Sequence, residues 1–283
     1  MPAAARDPVE TIAPSPVTFP AASPTVRSLS FEDLAVDYDA RFGRASAREQ
    51  LLADILKPYL HREHPVIDIG TGTGNLAYQL QAKGFVVTGV DLSPRMARIA
   101  ARRLCSRVVL ADAFDLPFRN ASAAQLCSIW LTHVVGNPVR VFLEAKRVLR
   151  PGGRYVVLPV GVPEAGGDEI SDIIESMNDQ LSRSGEARLG LAWRTTGENL
   201  LLAEAAGFHA AHVGPPAYFS YYQSPMEAAA AVEARLFGSL LRVCGREWHS
   251  IVEPTIARLR NLPSPYAPRR RRSGVQAVIE LEA

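Results

Sequence analysis

The chain has 283 residues, 47% hydrophobic and 21% charged, the make-up of an ordinary globular protein with one main core. A formal net charge of +2 removes any global electrostatic case for nucleic acid, an anionic membrane or an acidic partner. The three cysteines, Cys105, Cys127 and Cys244, are scattered and lack metal-ligand spacing, which speaks against both a disulfide framework and a zinc site.

No apolar run approaches the roughly 20 residues that span a bilayer, and the first residues lack the basic start and apolar stretch of a secretion signal. A cytoplasmic protein is expected, with no membrane partner. Residues 1–28 are rich in Pro, Ala, Ser and Thr and offer few large apolar groups, so they read as a disordered leader. Residues 29–60 then carry an amphipathic pattern through Leu34, Tyr38 and Phe42, resuming at Leu51, Leu52, Ile55 and Leu56 until Pro58. This predicts a pair of helices leading into a sheet.

Across residues 65–160 short apolar runs alternate with helical patterns, as βαβ units of a buried parallel sheet do. The predicted strands are Val66 to Ile69, Phe85 to Val90, Arg107 to Leu110, Gln125 to Trp130 and Tyr155 to Val160. Helices are predicted over Asn75 to Ala82, Pro94 to Leu104 with Ser93 as N-cap, and Pro138 to Leu149 ending at Pro151-Gly152-Gly153. Right-handed crossovers make this a Rossmann-like, doubly wound α/β sheet. A polar insert at 161–195 breaks the alternation. A helix over Gly197 to Ala206, an extended stretch to Tyr222, lid helices at 225–262 and a last strand at 275–281 complete the expected domain, 29–283.

Chemistry concentrates at the first strand end. Val66-Ile67-Asp68-Ile69-Gly70-Thr71-Gly72-Thr73-Gly74-Asn75 runs from strand to helix, where glycines allow a sharp turn and a close ligand approach. The loop departs from the dinucleotide fingerprint, because Asn75 stands where the last glycine falls, and it lacks the Gly-Lys-Ser/Thr of a P-loop. A carboxylate at Asp68 would repel a pyrophosphate and attract a ligand bearing positive charge. S-adenosylmethionine has that charge, at its α-amino group and its sulfonium. Asp91 ends the second strand about 20 residues on, placed to accept from both ribose hydroxyls. Asp112-Ala113 ends the third, placed to accept from an adenine amino group, with Phe114 or Leu92 against the ring.

In their order and spacing, VIDIGTGTGN, VTGVDLSPRM, ADAFDLPF, IWLTHVVGNP and EAKRVLRPGGRYVVLPV resemble the small-molecule, type 11-like branch of the class I S-adenosylmethionine-dependent methyltransferases. The resemblance spans Val66 to Val160. It implies S-adenosyl-L-methionine as cofactor, a mostly parallel seven-stranded sheet, and an antiparallel last strand that 275–281 could supply. It also implies cofactor contacts from Gly70, Gly72 and Gly74 at the methionyl part, Asp91 at the ribose, and Asp112 and Ala113 at the adenine, with Asp68, Thr71 and Leu92 counted among the cofactor-binding residues. One departure is visible: the acid usual at the start of the fourth strand is replaced by Ala123-Ala124-Gln125.

Methyl transfer from a sulfonium is an in-line displacement helped chiefly by positioning, and a base is needed only for acceptors that must lose a proton. His133, just past the fourth strand, is the candidate base; packing or capping of that loop is the plainer reading of a single histidine. Tyr38-Asp39-Ala40-Arg41-Phe42-Gly43-Arg44 resembles the N-terminal helix that folds over the cofactor in relatives. Tyr38 would line the sulfonium pocket and Arg44 or Arg41 pair with the methionyl carboxylate, against the alternative of a plain amphipathic helix. Tyr218, Phe219, Tyr221 and Tyr222 read as strand core before substrate cage. Arg269 to Arg272 reads as a solvated loop. No role is assigned to Trp193, Trp248, His209, His212 or His249, and no metal is expected.

The expected partner is a small metabolite accepting a methyl group at O, N or C, with specificity in the inserts. Methylation of RNA or protein is disfavoured by the weak charge and the lack of an added binding domain. A nicotinamide or flavin oxidoreductase is disfavoured by Asn75 and Asp68, and a cofactor-binding protein without catalysis stays open. The oligomeric state has no signal in the sequence.

Overall fold

A computed structural model of the chain describes residues 31–35, 38–39, 46–159, 168–184, 195–215, 217–235, 240, 243–275 and 277–283. The leader, Arg41, Arg44, Val160 and Trp193 lie outside the described residues. Among those described, no helix is long and apolar enough to cross a membrane, and no group of three His, Cys, Asp or Glu side chains could hold a metal ion.

The apolar runs form a seven-stranded sheet. β1 (Val66–Ile69), β2 (Val87–Asp91), β3 (Val108–Leu110), β4 (Ala123–Ile129) and β5 (Leu149–Leu158) come first in the chain, followed by β6 (His209–Val213) and, after a separate ribbon, β9 (Ile279–Glu282). Their spatial order is β3-β2-β1-β4-β5-β9-β6. Pairings among β1 to β5 are parallel, whereas β9 runs antiparallel between β5 and β6. The chain leaves β1 for one half of the sheet and returns at β4 for the other, which opens a crevice at their carboxyl ends, where ligands of doubly wound folds sit.

Helices cover both faces. α1 (Phe31–Leu34) and α2 (Ser46–Leu56) precede the sheet; α3 (Asn75–Ala82) and α4 (Pro94–Arg103) follow β1 and β2. Leu52, Leu56, Leu80 and Leu104 pack with Val66, Val87 and Cys127 on one face. α5 (Pro138–Val148) joins α7 (Thr196–Ala205) on the other, where Val141, Phe142 and Ala203 pack with Ile69, Tyr155 and Leu281. Ser93 caps α4 as its spacing implied, accepting from Met96 N at 3.1 Å. Pro151-Gly152-Gly153 does not terminate the sheet side of α5. The helix stops at Val148, and those residues belong to β5 itself.

A third cluster stands apart from the sheet. α6 (Glu169–Ser184), α8 (Pro225–Glu233), and α9 (Gly245–Glu247), which continues through a π turn at Trp248–Val252 into α10 (Glu253–Arg260), share a core of Ile170, Met177, Val232, Trp248 and Leu259. Beside it lies a two-stranded antiparallel ribbon, β7 (Ala217–Gln223) with β8 (Arg269–Val275).

The ribbon corrects two expectations. Arg269 to Arg272 is strand rather than solvated loop: Arg271 is 6% exposed, pairs with Asp168, and donates to Ser171 Oγ at 2.7 Å. Like-charged neighbours are tolerated because successive strand side chains point to opposite faces, and the inner one finds a carboxylate. Val275 ends this ribbon, with Ala217 as partner, and the last sheet strand begins at Ile279. A continuous β-rich run hid the change of pairing partner. The aromatic segment of β7 lies in the ribbon rather than in the sheet, and Tyr222 is 41% exposed.

Candidate functional site

The glycine loop closes onto the second strand through main-chain bonds, Gly70 N and Thr71 N both donating to Val90 O at 2.8 and 2.9 Å. Two glycines are required for different reasons. Gly74 has φ +77° and a side chain there would sit 3.0 Å from Ala100 Cβ, so it lets α3 and α4 approach. Gly72 has φ +58° and a Cβ there would meet nothing within 4 Å, so its backbone faces open space. A ligand can therefore reach the Gly72 backbone directly.

Three carboxylates surround this bend. Asp68, in β1, is 3% exposed and lies opposite Cys127 of β4 in the sheet register; Cys127 Sγ donates to Asp68 Oδ1 at 3.6 Å. Burial pushes the Asp68 carboxyl up to about 6, against bonds from Thr71 and Cys127, and the charges of Asp91 and Glu49 push the same way. Burial also holds the Cys127 thiol well above its ordinary range, reinforced by Asp68. Asp91 accepts from Gly72 N at 2.7 Å through Oδ2 and from Ser93 N at 2.9 Å through Oδ1. Burial raises it, with those bonds in opposition. Each Asp91 oxygen keeps a lone pair for a further donor.

The structure brings Tyr38, Asp68, Gly70, Thr71 and Gly72 together around one small cleft, whose walls also include Glu49, Thr73, Asn75, Leu76, Ile129 and Trp130. Asp91, Leu92, Asp112 and Ala113 are not among the residues that line it. Leu92 is 66% exposed beside Asp91, and past the end of β3 Asp112 Oδ1 accepts from Phe114 N at 2.9 Å. Ala113 and Phe114 are half-buried, with Arg140 stacked 4.7 Å above the Phe114 ring. His133 is half-buried in the loop after β4 but does not line the cleft, and Gly74 contributes packing rather than lining.

Among the wall residues that escaped sequence reasoning are Glu49 and Trp130. Glu49, 8% exposed on α2, had no motif around it. Trp130 closes the motif at the end of β4, and its φ of +54° is the visible signal of constraint, one that only coordinates reveal. The departure at Ala123-Ala124-Gln125 has a structural role. Buried Gln125 donates to His61 O and His64 O at 2.7 and 2.6 Å, and accepts from His61 N, which no carboxylate could do.

A parallel sheet with an antiparallel penultimate strand, a glycine bend at its switch point and acids on successive strand ends define a Rossmann-like nucleoside-binding fold. Residues 67–157 match the family model described as methyltransferase domain. That stretch, under half of the chain, is similar to a methyltransferase domain. A demethylmenaquinone methyltransferase of Tropheryma whipplei (strain Twist) is 38% identical over 103 residues, covering 35% of this chain and 42% of that protein. The match thus spans under half the length of that relative. Among solved structures, the YcgJ protein from Bacillus subtilis superposes with a TM-score of 0.56 at 17% identity, over 83% of this chain and 98% of that one. The [4+2]-cyclase SpnF gives 0.54 at 19%, over 91% and 98%. Such distant likeness establishes the fold, and the cyclase illustrates that the fold alone does not fix the reaction.

Proposed function

We propose that this protein transfers the methyl group of S-adenosyl-L-methionine to a small-molecule acceptor, from a seat at the carboxyl ends of β1, β2 and β3. The observation that carries this reading is the acidic wall of the cleft: Asp68 is buried beside Glu49 and Asp91, and burial together with those charges raises its pKa. A cationic ligand relieves that cost, whereas a pyrophosphate would add to it. The glycine bend fits the same ligand, because the space over Gly72 is open and the Gly72 N–H is already oriented by Asp91.

When bound, the cofactor supplies a methyl carbon activated by its cationic sulfur; an acceptor lone pair forms the new bond as the carbon–sulfur bond breaks, leaving its electron pair on sulfur. The chain's part is to hold and orient. Gly70, Thr71 and Gly72 would hold the methionyl end beside Asp68, with Tyr38 and Arg44 completing it. Asp91 would hold the ribose, Asp112 and Ala113 the adenine edge with Leu92 against the ring, and Gly74 would set the bend. His133, although outside the lining of the cleft, would take a proton only where the acceptor must lose one, as a hydroxyl or carbon acid does.

Acceptor selection would belong to residues 161–195 and the helices at 225–262, which lie beyond the matched core. The names of the relatives support a small acceptor, and three free thiols fit a reducing, cytoplasmic setting. The test is incubation of the protein with methyl-labelled S-adenosylmethionine and a cell extract, followed by fractionation. Label is expected in the small-molecule fraction. Label confined to RNA or protein, or none transferred despite cofactor binding, would overturn the reading.

A further inference from the structure

We propose that Asp39 is a positioning residue, clamping the N-terminal segment onto the glycine bend so that its neighbour Tyr38 closes the cleft over the cofactor's methionyl end. The inference rests on the cofactor seat described above. Asp39 is 34 and 36 residues from two of its partners, yet its carboxylate gathers donors from both helices of the bend. Oδ1 accepts from Thr73 Oγ1 at 2.7 Å and from Asn75 Nδ2 at 3.0 Å, and Oδ2 accepts from Arg103 Nη2. Arg103, at the end of α4, also donates through Nη1 to Thr73 O at 2.6 Å. Thr73 is therefore fixed by its side chain and its carbonyl, and Asn75 acquires a use that a fingerprint glycine could not have.

The clamp has the chemistry to hold. Burial raises the Asp39 pKa, but the bonds from Arg103, Thr73 and Asn75 outweigh it and keep the carboxyl below its ordinary range. A second attachment lies upstream, where Glu32 of α1 accepts from Ser93 Oγ and from Arg95 N at 3.1 Å at the start of α4. Tyr38, next to the clamped Asp39, lines the cleft together with Asp68 and Trp130. Thr73 and Asn75 also line the cleft, and comparison with Tyr38→Ala separates an effect through Tyr38 from one through the bend.

The experiment is a double-mutant cycle of Asp39→Ala with Tyr38→Ala, read by calorimetric titration of the full chain with S-adenosylmethionine, beside hydrogen exchange of residues 31–39 without ligand. Asp39→Ala is expected to weaken binding about tenfold or more. The double variant is expected to bind no worse than Tyr38→Ala alone. Asp39→Asn, which still accepts from Thr73 and Asn75, is expected to recover part of the loss and serves if the alanine variant folds poorly. Exchange of 31–39 is expected to quicken in Asp39→Ala and in Arg103→Ala. Unchanged affinity, independent additive losses, or unchanged exchange would each overturn the clamp. Failure of the unsubstituted chain to bind S-adenosylmethionine would instead refute the cofactor seat, and the exchange measurement would still decide whether the clamp exists.

Discussion

Cys127 Sγ lies 3.6 Å from Asp68 Oδ1, a thiol and a carboxyl paired across adjacent parallel strands under the glycine bend, both closed to solvent. A neutral thiol cannot compensate a buried carboxylate as an arginine would. The proton on Asp68 is therefore held more tightly in the folded chain than in an unfolded one.

The consequence for pH follows from that displacement, from 3.8 to about 6. A raised carboxyl pKa favours the folded state fully below the unfolded value, and this contribution is lost as pH rises through the folded value. Stability without ligand should fall between pH 4 and about 6 by on the order of 3 kcal/mol from this group, since each pKa unit is about 1.4 kcal/mol. Asp68→Asn should remove that slope in urea denaturation series. A cationic ligand favours the ionised form, so affinity for S-adenosylmethionine should rise through the same window in the native chain and stay flat in Asp68→Asn.

The two glycines should separate stability from binding. Gly74→Ala combines a left-handed backbone with a 3.0 Å approach to Ala100 Cβ and should cost about 2–3 kcal/mol of stability. Gly72→Ala meets no protein atom within 4 Å, so its stability loss should be smaller, about 1–2 kcal/mol. Its added methyl enters the ligand's space, and affinity should fall about tenfold or more. Thermal melts beside calorimetry check both; equal effects of the two variants on affinity would contradict the assignment of Gly72 to the seat.

Asp91 should prove necessary for the nucleoside, beyond the local bonds it accepts from Gly72 N and Ser93 N. Asp91→Ala removes a charged acceptor worth about 1.5–3 kcal/mol per bond to the ligand, and weakens S-adenosylmethionine binding by roughly ten- to a hundredfold. Calorimetry showing unaltered affinity would take Asp91 out of the ribose role.

The buried ribbon arginine makes a prediction about the helical cluster. Arg271→Ala strips the Asp168 carboxylate, 13% exposed, of its cation and should destabilise the chain by about 3–5 kcal/mol. Arg271→Met with Asp168→Asn should be milder than Arg271→Ala, because no lone buried charge remains. Denaturant titration of the variants decides it.

His133 should separate turnover from affinity if it takes a proton from the acceptor. His133→Ala would then lower kcat while S-adenosylmethionine binding stays unchanged. An unaltered kcat would leave His133 with a packing role in the loop after β4.

Much of the sheet and the place of the glycine bend were legible in the sequence. β1 to β5, the bend and the acids at the end of β2 and after β3 are local patterns: short apolar runs, strand-to-helix turns and acids at fixed offsets. What escaped depends on partners distant in the chain. Asp39 finds Arg103 64 residues away, and Arg271 finds Asp168 at a separation of 103. Nothing near either residue announces its partner. Val275 was misplaced because β-propensity reports extended backbone but not which strand it pairs with. Gln125 read as a lost acid, and its donor role appeared only when the carbonyls of His61 and His64 came within reach.

The most direct measurement is calorimetric titration of the full chain at pH 7.5 with S-adenosylmethionine and, separately, with NADH. Saturable binding of one S-adenosylmethionine per chain, with no heat from NADH, is the expected result. Saturation by NADH, or no binding of the sulfonium nucleoside, would contradict a cradle selected for positive charge.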